Sequence, residues 1–333
     1  PIARLLASFA DISGEGESFT EFSDHSMRMK KLTAPLEYYY ASVNWHMALG
    51  INNLTSYYSL DGLTDDEIRN LNKYAARTGT LIREGVRASN VAVLYPEASM
   101  WAEYTPNTNP RAMDHSEGTV KLDNIFNAAS WELLSRQIDF DYVDADLINE
   151  GIIENGVLKY NIRNYECIIL PGAKVLEEKT AGKILEMADA GISIICIGEI
   201  PCISRESGRE AASFGKFEEY IKNGKVAFVA LDDVSARLDN TMLKRKVLLT
   251  SDGGSTVNDN ILSHSRITPD GTNIIFLANM GSEGFNGSLS ADGFYSAVYM
   301  ADPADGRIAE VIPDENRAPV KLKPYSGRFY IFQ

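Results

Sequence analysis

Cys167-Ile168-Ile169-Leu170-Pro171-Gly172 decides how the middle of this chain is read. Four apolar residues in a row, stopped by Pro-Gly, are a strand covered on both faces, because a half-exposed strand alternates apolar with polar. Runs of the same kind stand on either side, at Val91-Ala92-Val93-Leu94-Tyr95-Pro96 and at 192–197. Asp139-Phe140-Asp141-Tyr142-Val143 and 225–231 add two more strands, and helical patterns at 120–137 and 177–190 lie between them. Near-continuous apolar strands separated by helices specify a parallel sheet over residues 88–232.

Upstream, residues 1–87 alternate helix and strand. A helix at 2–12 ends near Gly14, and Ser18-Phe19-Thr20-Glu21-Phe22 follows as a short strand. A helical pattern at 27–49 stops at Gly50, with Pro35 marking a kink or a delayed start. A strand at 50–57 comes next. Thr64, with Glu67 three residues on, opens a helix that runs to about Gly85, as a capping box does. Downstream, residues 233–255 read as a helix and a Gly/Ser linker. Residues 256–333 are β-rich, with strands at 273–279, 295–300, 308–311 and 328–332 and turn pairs at Asp270-Gly271 and Asp305-Gly306, the pattern of an antiparallel β-sandwich.

The chain has 333 residues, 44% apolar and 23% charged, the balance of a globular protein of two or three domains. Lys and Arg total 32 against 46 Asp and Glu, a formal charge of −14, which makes nucleic acid and anionic membrane surfaces poor partners. No apolar run approaches the roughly 20 residues that span a bilayer. No signal peptide is visible, and Pro1 in place of Met reads as a processed or cut chain. Cys167, Cys196 and Cys202 fit no zinc spacing, and the first two sit inside apolar runs as buried thiols.

The chemistry concentrates in the first segment, where both strands carry polar residues at their C-terminal ends. In barrels of alternating strands and helices that is where active sites are built. Glu21, beside aromatics and amides, suits glycoside hydrolysis, which needs a carboxyl group on each side of the scissile bond. His25 either orients Glu21, touches a sugar hydroxyl or caps the next helix, and Asp24 reads as an N-cap. Asn52, Asn53 and Tyr57 are candidates to line a sugar site. Tyr38, Tyr39, Tyr40, Trp45 and His46 lie at helical spacing and read as packing; Trp101 and Tyr104, in a loop after a strand, either stack on a sugar or pack, and packing is the reading preferred. Asp144, Asp146 and Glu150 read as a solvated acidic cluster. The loop after the first strand of the parallel sheet, Tyr95-Pro96-Glu97-Ala98-Ser99, has no Gly-rich fingerprint and carries a carboxylate, which argues against a phosphate site.

Ser8-Phe9-Ala10-Asp11-Ile12-Ser13-Gly14, followed by Phe19-Thr20-Glu21, resembles the sixth helix and seventh strand of a glycoside hydrolase barrel. Trp45-His46-Met47-Ala48-Leu49-Gly50-Ile51-Asn52 resembles the seventh helix entering the eighth strand. With Asn90-Val91-Ala92-Val93-Leu94-Tyr95-Pro96 and Tyr165-Glu166-Cys167-Ile168-Ile169-Leu170-Pro171, the layout is similar to glycoside hydrolase family 106, the α-L-rhamnosidase-like enzymes. Its middle domain resembles the flavodoxin-like trimerisation domain of family 42 β-galactosidases. The resemblance implies the end of a (β/α)8 barrel at 1–87, a flavodoxin-like domain at 88–232, a linker at 233–255 and a β-sandwich at 256–333. It makes Glu21 a catalytic carboxylate and implies an oligo- or polysaccharide substrate. It also implies a homo-oligomer through the middle domain and a bacterial periplasmic or extracellular setting. It requires no cofactor and leaves room for calcium. It also implies a larger protein, because a closed barrel needs eight strands and two fit before residue 88. The alternative is a non-catalytic carbohydrate-binding or oligomerisation module.

Overall fold

The computed structural model describes residues 2–14, 16–106, 116–211, 214–234, 245–313 and 317–333. It is a mixed α/β structure with one five-stranded parallel sheet and several antiparallel ones. Two compact units divide it. The first holds Pro1–Ala88, Leu133–Asp139 and Arg245–Gln333, and the second holds Ser89–Glu132 and Phe140–Lys244.

In the first unit the helix Ile2–Ser13 precedes the strand Phe19–Ser23, which pairs in parallel with Asn53–Tyr57, Glu21 opposite Thr55 and Ser23 opposite Tyr57. Parallel neighbours need a crossover. Here it carries the helices His25–Met29 and Leu36–Ala48. The pattern at 27–49 is therefore not one helix. Pro35 is the N-cap of the second, at φ −70 and ψ 160, because proline has no N–H to bond back into a preceding turn. That helix ends on the Gly50 N–H to Met47 carbonyl bond (3.0 Å) and the Ile51 N–H to His46 carbonyl bond (3.0 Å).

Gly50 is required twice. Its φ is +97, and a Cβ there would stand 2.6 Å from Arg87 Nη2 and 2.9 Å from the Ala7 Cβ. Gly50→Ala is expected to cost about 2–4 kcal/mol, combining left-handed strain with overpacking. A shift of the urea midpoint without a change of slope checks this, and an unshifted midpoint refutes it. Further on, the helix Asp65–Ile82 starts at the expected capping box: Thr64 Oγ1 accepts from the Glu67 N–H (3.3 Å) and Glu67 Oε2 from the Thr64 N–H (2.8 Å).

The rest of this unit is two antiparallel sheets. One has the order Val247–Ser251, Phe285–Ala291, Ala318–Leu322. The other runs Ile308–Val311, Val298–Ala301, Gly327–Phe332, Asn273–Asn279, Ile261–Ile267, Val86–Arg87. Leu249, Leu289 and Val320 from the first share a core with Ile275, Leu277 and Phe332 from the second. On the second sheet's other face Phe276 stacks on Phe329 (4.7 Å), and the helix Leu36–Ala48 packs on Ile261–Ile267 and Asn273–Asn279. Asn273–Asn279 is consequently buried at every position. The segments divided at 88 and 256 in the sequence reading thus belong to one compact unit. Residues 247–251, read as linker, are a strand, because Val247 and Leu249 fill the core. The helix expected within 233–255 falls largely on 235–244, outside the described residues; Leu231–Asp233 is a 3-10 turn.

Charge is buried in this unit. Asp11, on the helix Ile2–Ser13, pairs with Arg87 (3.1 Å) and Arg266 (3.5 Å), all three nearly inaccessible. Arg266 also donates to the carbonyls of Glu84 (2.7 Å) and Gly85 (2.6 Å). Arg4 of the same helix pairs with Asp139. Carboxylate and guanidinium groups go into a core only when paired in this way.

In the second unit the parallel sheet has the order Val226–Val229, Ser193–Ile197, Cys167–Pro171, Val91–Leu94, Asp141–Val143. Counted along the chain this is 2-1-3-4-5, the flavodoxin-like doubly wound order. Cys167 and Cys196 are buried in it, and burial pushes the Cys196 thiol up to about 12. A three-stranded hairpin sheet, Ile152–Glu154, Val157–Tyr160 and Arg163–Tyr165, went unread in the sequence. Its first turn is Asn155-Gly156, both at positive φ, a turn type that pair favours. No helix among the described residues is long and apolar enough to cross a membrane.

Candidate functional site

The parallel strand pair positions the candidate residues. Phe22 is buried, with its ring 4.4 Å from His46 on the helix Leu36–Ala48, so its face of the strand is the helix side. Side chains alternate along a strand. Glu21 therefore projects from the opposite face, with Phe19 and Ser23, and opposite Thr55. It is exposed, and among the described residues nothing holds its carboxylate. Tyr57, at the end of the partner strand, is 61% exposed, and Phe19 at the start of the first is 64% exposed.

The other sequence candidates have separate fates. Asn52 is buried and its amide is occupied: Oδ1 accepts from the Ser18 N–H (3.0 Å), and Nδ2 donates to the Gly16 carbonyl (2.6 Å). It ties the loop entering the first strand to the start of the second. Asn53 is partly buried, donates to Asn52 Oδ1 (3.2 Å) and accepts from Arg83. Arg83 also donates to the Asn52 carbonyl (2.9 Å). The pair of amides is thus a structural clamp, with Asn53 at its edge. His25 is exposed at the start of its helix, where the Ser23 hydroxyl accepts from its backbone N–H (3.0 Å). His46 is packed against Phe22, donates to the Ser42 carbonyl (2.8 Å), and burial lowers its pKa.

Asp24 stands at the N-cap of the helix His25–Met29, as read, but its side chain makes no cap bond. It is buried and crosses to the other strand's loop, accepting from the Ser59 N–H (3.1 Å) and Ser59 Oγ (2.5 Å), with Arg28 Nε at 3.0 Å. Ser59 lies 35 residues away in sequence, so nothing local announced this latch. Burial pushes the Asp24 carboxyl up, but the Ser59 hydrogen bonds and the Arg28 charge outweigh it and hold it below the usual value of 3.8. Burial and the Asp24 charge push the Tyr39 phenol up.

A carboxyl depressed in the folded state stabilises fully above its unfolded pKa and loses that contribution as the pH falls through the folded value. Ser59→Ala, which removes one donor to a buried charge, is expected to cost about 1–3 kcal/mol at neutral pH. The cost shrinks below pH 3.8, the ordinary value for this carboxyl. Denaturation midpoints on both sides of that value check this; a pH-independent cost refutes it.

In the second unit a hydrogen-bonded bridge spans the switch point between Val91–Leu94 and Cys167–Pro171, where doubly wound sheets bind ligands. Ser99, on the short helix Glu97–Glu103, accepts from the Val175 N–H (2.9 Å) and donates to its carbonyl (3.3 Å). Asp144 caps the helix Ala145–Glu150 through the Leu147 N–H (2.8 Å) rather than joining a site. Trp101 and Tyr104, expected to pack, are 70% and 60% exposed, because the helix Glu97–Glu103 turns them outward. No group of three His, Cys, Asp or Glu among the described residues is placed to hold a metal ion.

No protein-family model matches the chain, and no curated protein matches it. Solved structures do. A rhamnosidase from Novosphingobium sp. PP1Y aligns over 99% of this chain and 33% of its own, with TM-score 0.66 and 14% identity. A family 42 β-galactosidase from G. stearothermophilus, a catalytic mutant, aligns over 90% of this chain and 51% of its own, with TM-score 0.60 and 11% identity. An α-L-fucosidase, isoenzyme 2, from Paenibacillus thiaminolyticus aligns over 99% and 62%, with TM-score 0.56 and 12% identity. The chain thus spans between a third and two thirds of the length of these enzymes. At these identities the likeness is one of fold alone, shared with the aligned part of each of these glycoside hydrolases.

Proposed function

We propose that this chain is part of a larger glycoside hydrolase, in which the strand pair Phe19–Ser23 and Asn53–Tyr57 belongs to a (β/α)8 barrel. Glu21 supplies one of the two carboxyl groups. The observation that carries this is the alternation at Phe22 and Glu21. The helix side of the strand is identified by the Phe22–His46 packing, so Glu21 stands on the face that points to the inside of a barrel. Both strands are parallel, and the Asp24–Ser59 latch joins the loops at their C-terminal ends, where barrel enzymes build their sites. A glycan of the rhamnoside or galactoside class is the substrate this reading favours. The Ser99–Val175 bridge at the flavodoxin-like unit's switch point, and the Glu97 carboxylate that follows its first strand, favour a structural or subunit-contact role for it.

In hydrolysis Glu21 acts at the anomeric carbon, as nucleophile or as base for a water, while the second carboxyl protonates the leaving oxygen. The separation of the two groups sets the stereochemical outcome. Glu21 is the one carboxylate on this strand pair, which favours a second reading, a non-catalytic carbohydrate-binding module. Glu21→Gln in the complete protein separates the two. Lost turnover with intact sugar binding supports the hydrolase; wild-type turnover removes Glu21 from the chemistry.

A further inference from the structure

The loop that follows Glu21's strand reads Asp24-His25-Ser26-Met27-Arg28-Met29-Lys30-Lys31-Leu32. Three permanent cations fall within four residues of a chain whose formal charge is −14. They stand on a fixed support. Asp24 is anchored by Ser59 from the facing loop and in turn holds Arg28 through Nε (3.0 Å). The short helix closes with the Lys30 N–H on the Met27 carbonyl (3.0 Å) and the Lys31 N–H on the Arg28 carbonyl (2.8 Å). The Leu32 N–H returns to the Met27 carbonyl (3.0 Å), with Lys31 left-handed at φ +56. Gly62 of the facing loop lies close against Thr33: a Cβ there would be 3.2 Å from Thr33 Cγ2.

The cations are also available. Asp24 is buried and pairs with Arg28 at Nε, while the Arg28 side chain remains 43% exposed to solvent and to a ligand. Lys30 and Lys31 are exposed and have no ion pair among the described residues. The adjoining segments also carry Glu21, Asp61 in the facing loop and Glu37 at the start of the next helix, all exposed. Both loops leave the C-terminal ends of the parallel strands, one of which carries Glu21.

We propose that this rim recognises an anionic glycan, one carrying carboxylate or sulfate groups. Arg28 offers a planar pair of donors to an oxyanion, and Lys30 and Lys31 act as point charges along the chain of sugars. The proposal rests on the carbohydrate reading of the same site and narrows its substrate class.

The test is titration of the protein at low salt with four probes: an oligogalacturonate, a sulfated galactan oligomer, a neutral galactan oligomer and polyglutamate. The same titrations follow on a Lys30→Gln, Lys31→Asn double variant. Both positions are exposed, and Asn accepts the left-handed conformation at 31, so the fold is kept, as circular dichroism verifies. At least one charged glycan is expected to bind more tightly than the neutral one, and the tighter of the two identifies the anion. The double variant is expected to lose roughly tenfold of that affinity, and rising salt weakens what remains. Neutral and charged glycans bound alike would overturn the anionic class and leave the hydrolase reading standing. Polyglutamate bound as tightly as the glycans, or an unchanged affinity in the double variant, overturns the rim as a glycan site.

Discussion

Glu21→Gln is expected to lower turnover of the complete protein by about 10²–10⁴-fold or more, the range for losing a positioned acid, base or nucleophile. The amide matches the carboxylate in size but neither carries charge to a developing oxocarbenium ion nor exchanges a proton at neutral pH. The fold is not at stake, because Glu21 is exposed and no partner among the described residues depends on it. Surface substitutions of that kind stay within about 0.5 kcal/mol. The diagnostic pattern is therefore a collapsed turnover beside an unmoved melting temperature and retained sugar binding. A small external nucleophile such as azide that restores activity assigns Glu21 as nucleophile or base. A lowered melting temperature paralleling the loss of activity makes the residue structural.

Asp11→Ala is the substitution expected to damage the fold most. It leaves Arg87 and Arg266 buried with their shared carboxylate gone. Removing one partner of a buried pair costs about 3–5 kcal/mol, because the stranded charge still bears its desolvation. In a unit of this size that is a fall of roughly 6–20 °C in melting temperature. The three residues sit on the helix Ile2–Ser13, the strand Val86–Arg87 and the strand Ile261–Ile267, so the loss falls where the N-terminal segment meets the antiparallel sheet. Asp66→Ala is the control: its pairing with Arg69 is made by side chains 82% and 60% exposed, and its removal is expected to cost under about 1 kcal/mol. Equal effects of the two substitutions would refute the assignment of the buried network.

Much of the candidate site was legible along the chain. Glu21 was noticed as a candidate without a structure, and the fold sets it in the middle of the strand Phe19–Ser23. The roles of the residues read beside it were not legible. Asn52 and Asn53 look alike in sequence, yet one is buried in a backbone clamp and the other lies at its edge. Asp24 reads as a cap from the helix after it, but its acceptors face a serine that only the parallel pairing brings near. Trp101 and Tyr104 show the converse. Aromatics usually pack, and whether these do depends on which side of a short helix meets the sheet.

By itself the sequence determined the parallel sheet, since five apolar runs spaced by helices have no other way to bury both faces. It also determined the capping box at Thr64 and the helix stop at Gly50, which depend on residues within one turn of each other. Only the tertiary structure decided that the first 88 residues and the last 89 form one compact unit. The strand Ile261–Ile267 shows why. Its Ser263, His264, Ser265 and Arg266 are polar, yet all are buried, and Asp11 with the Glu84 and Gly85 carbonyls come from the other end of the chain to meet Arg266. Local pattern records what a residue prefers in water; the partners that let a charge be buried are assembled only when distant segments meet.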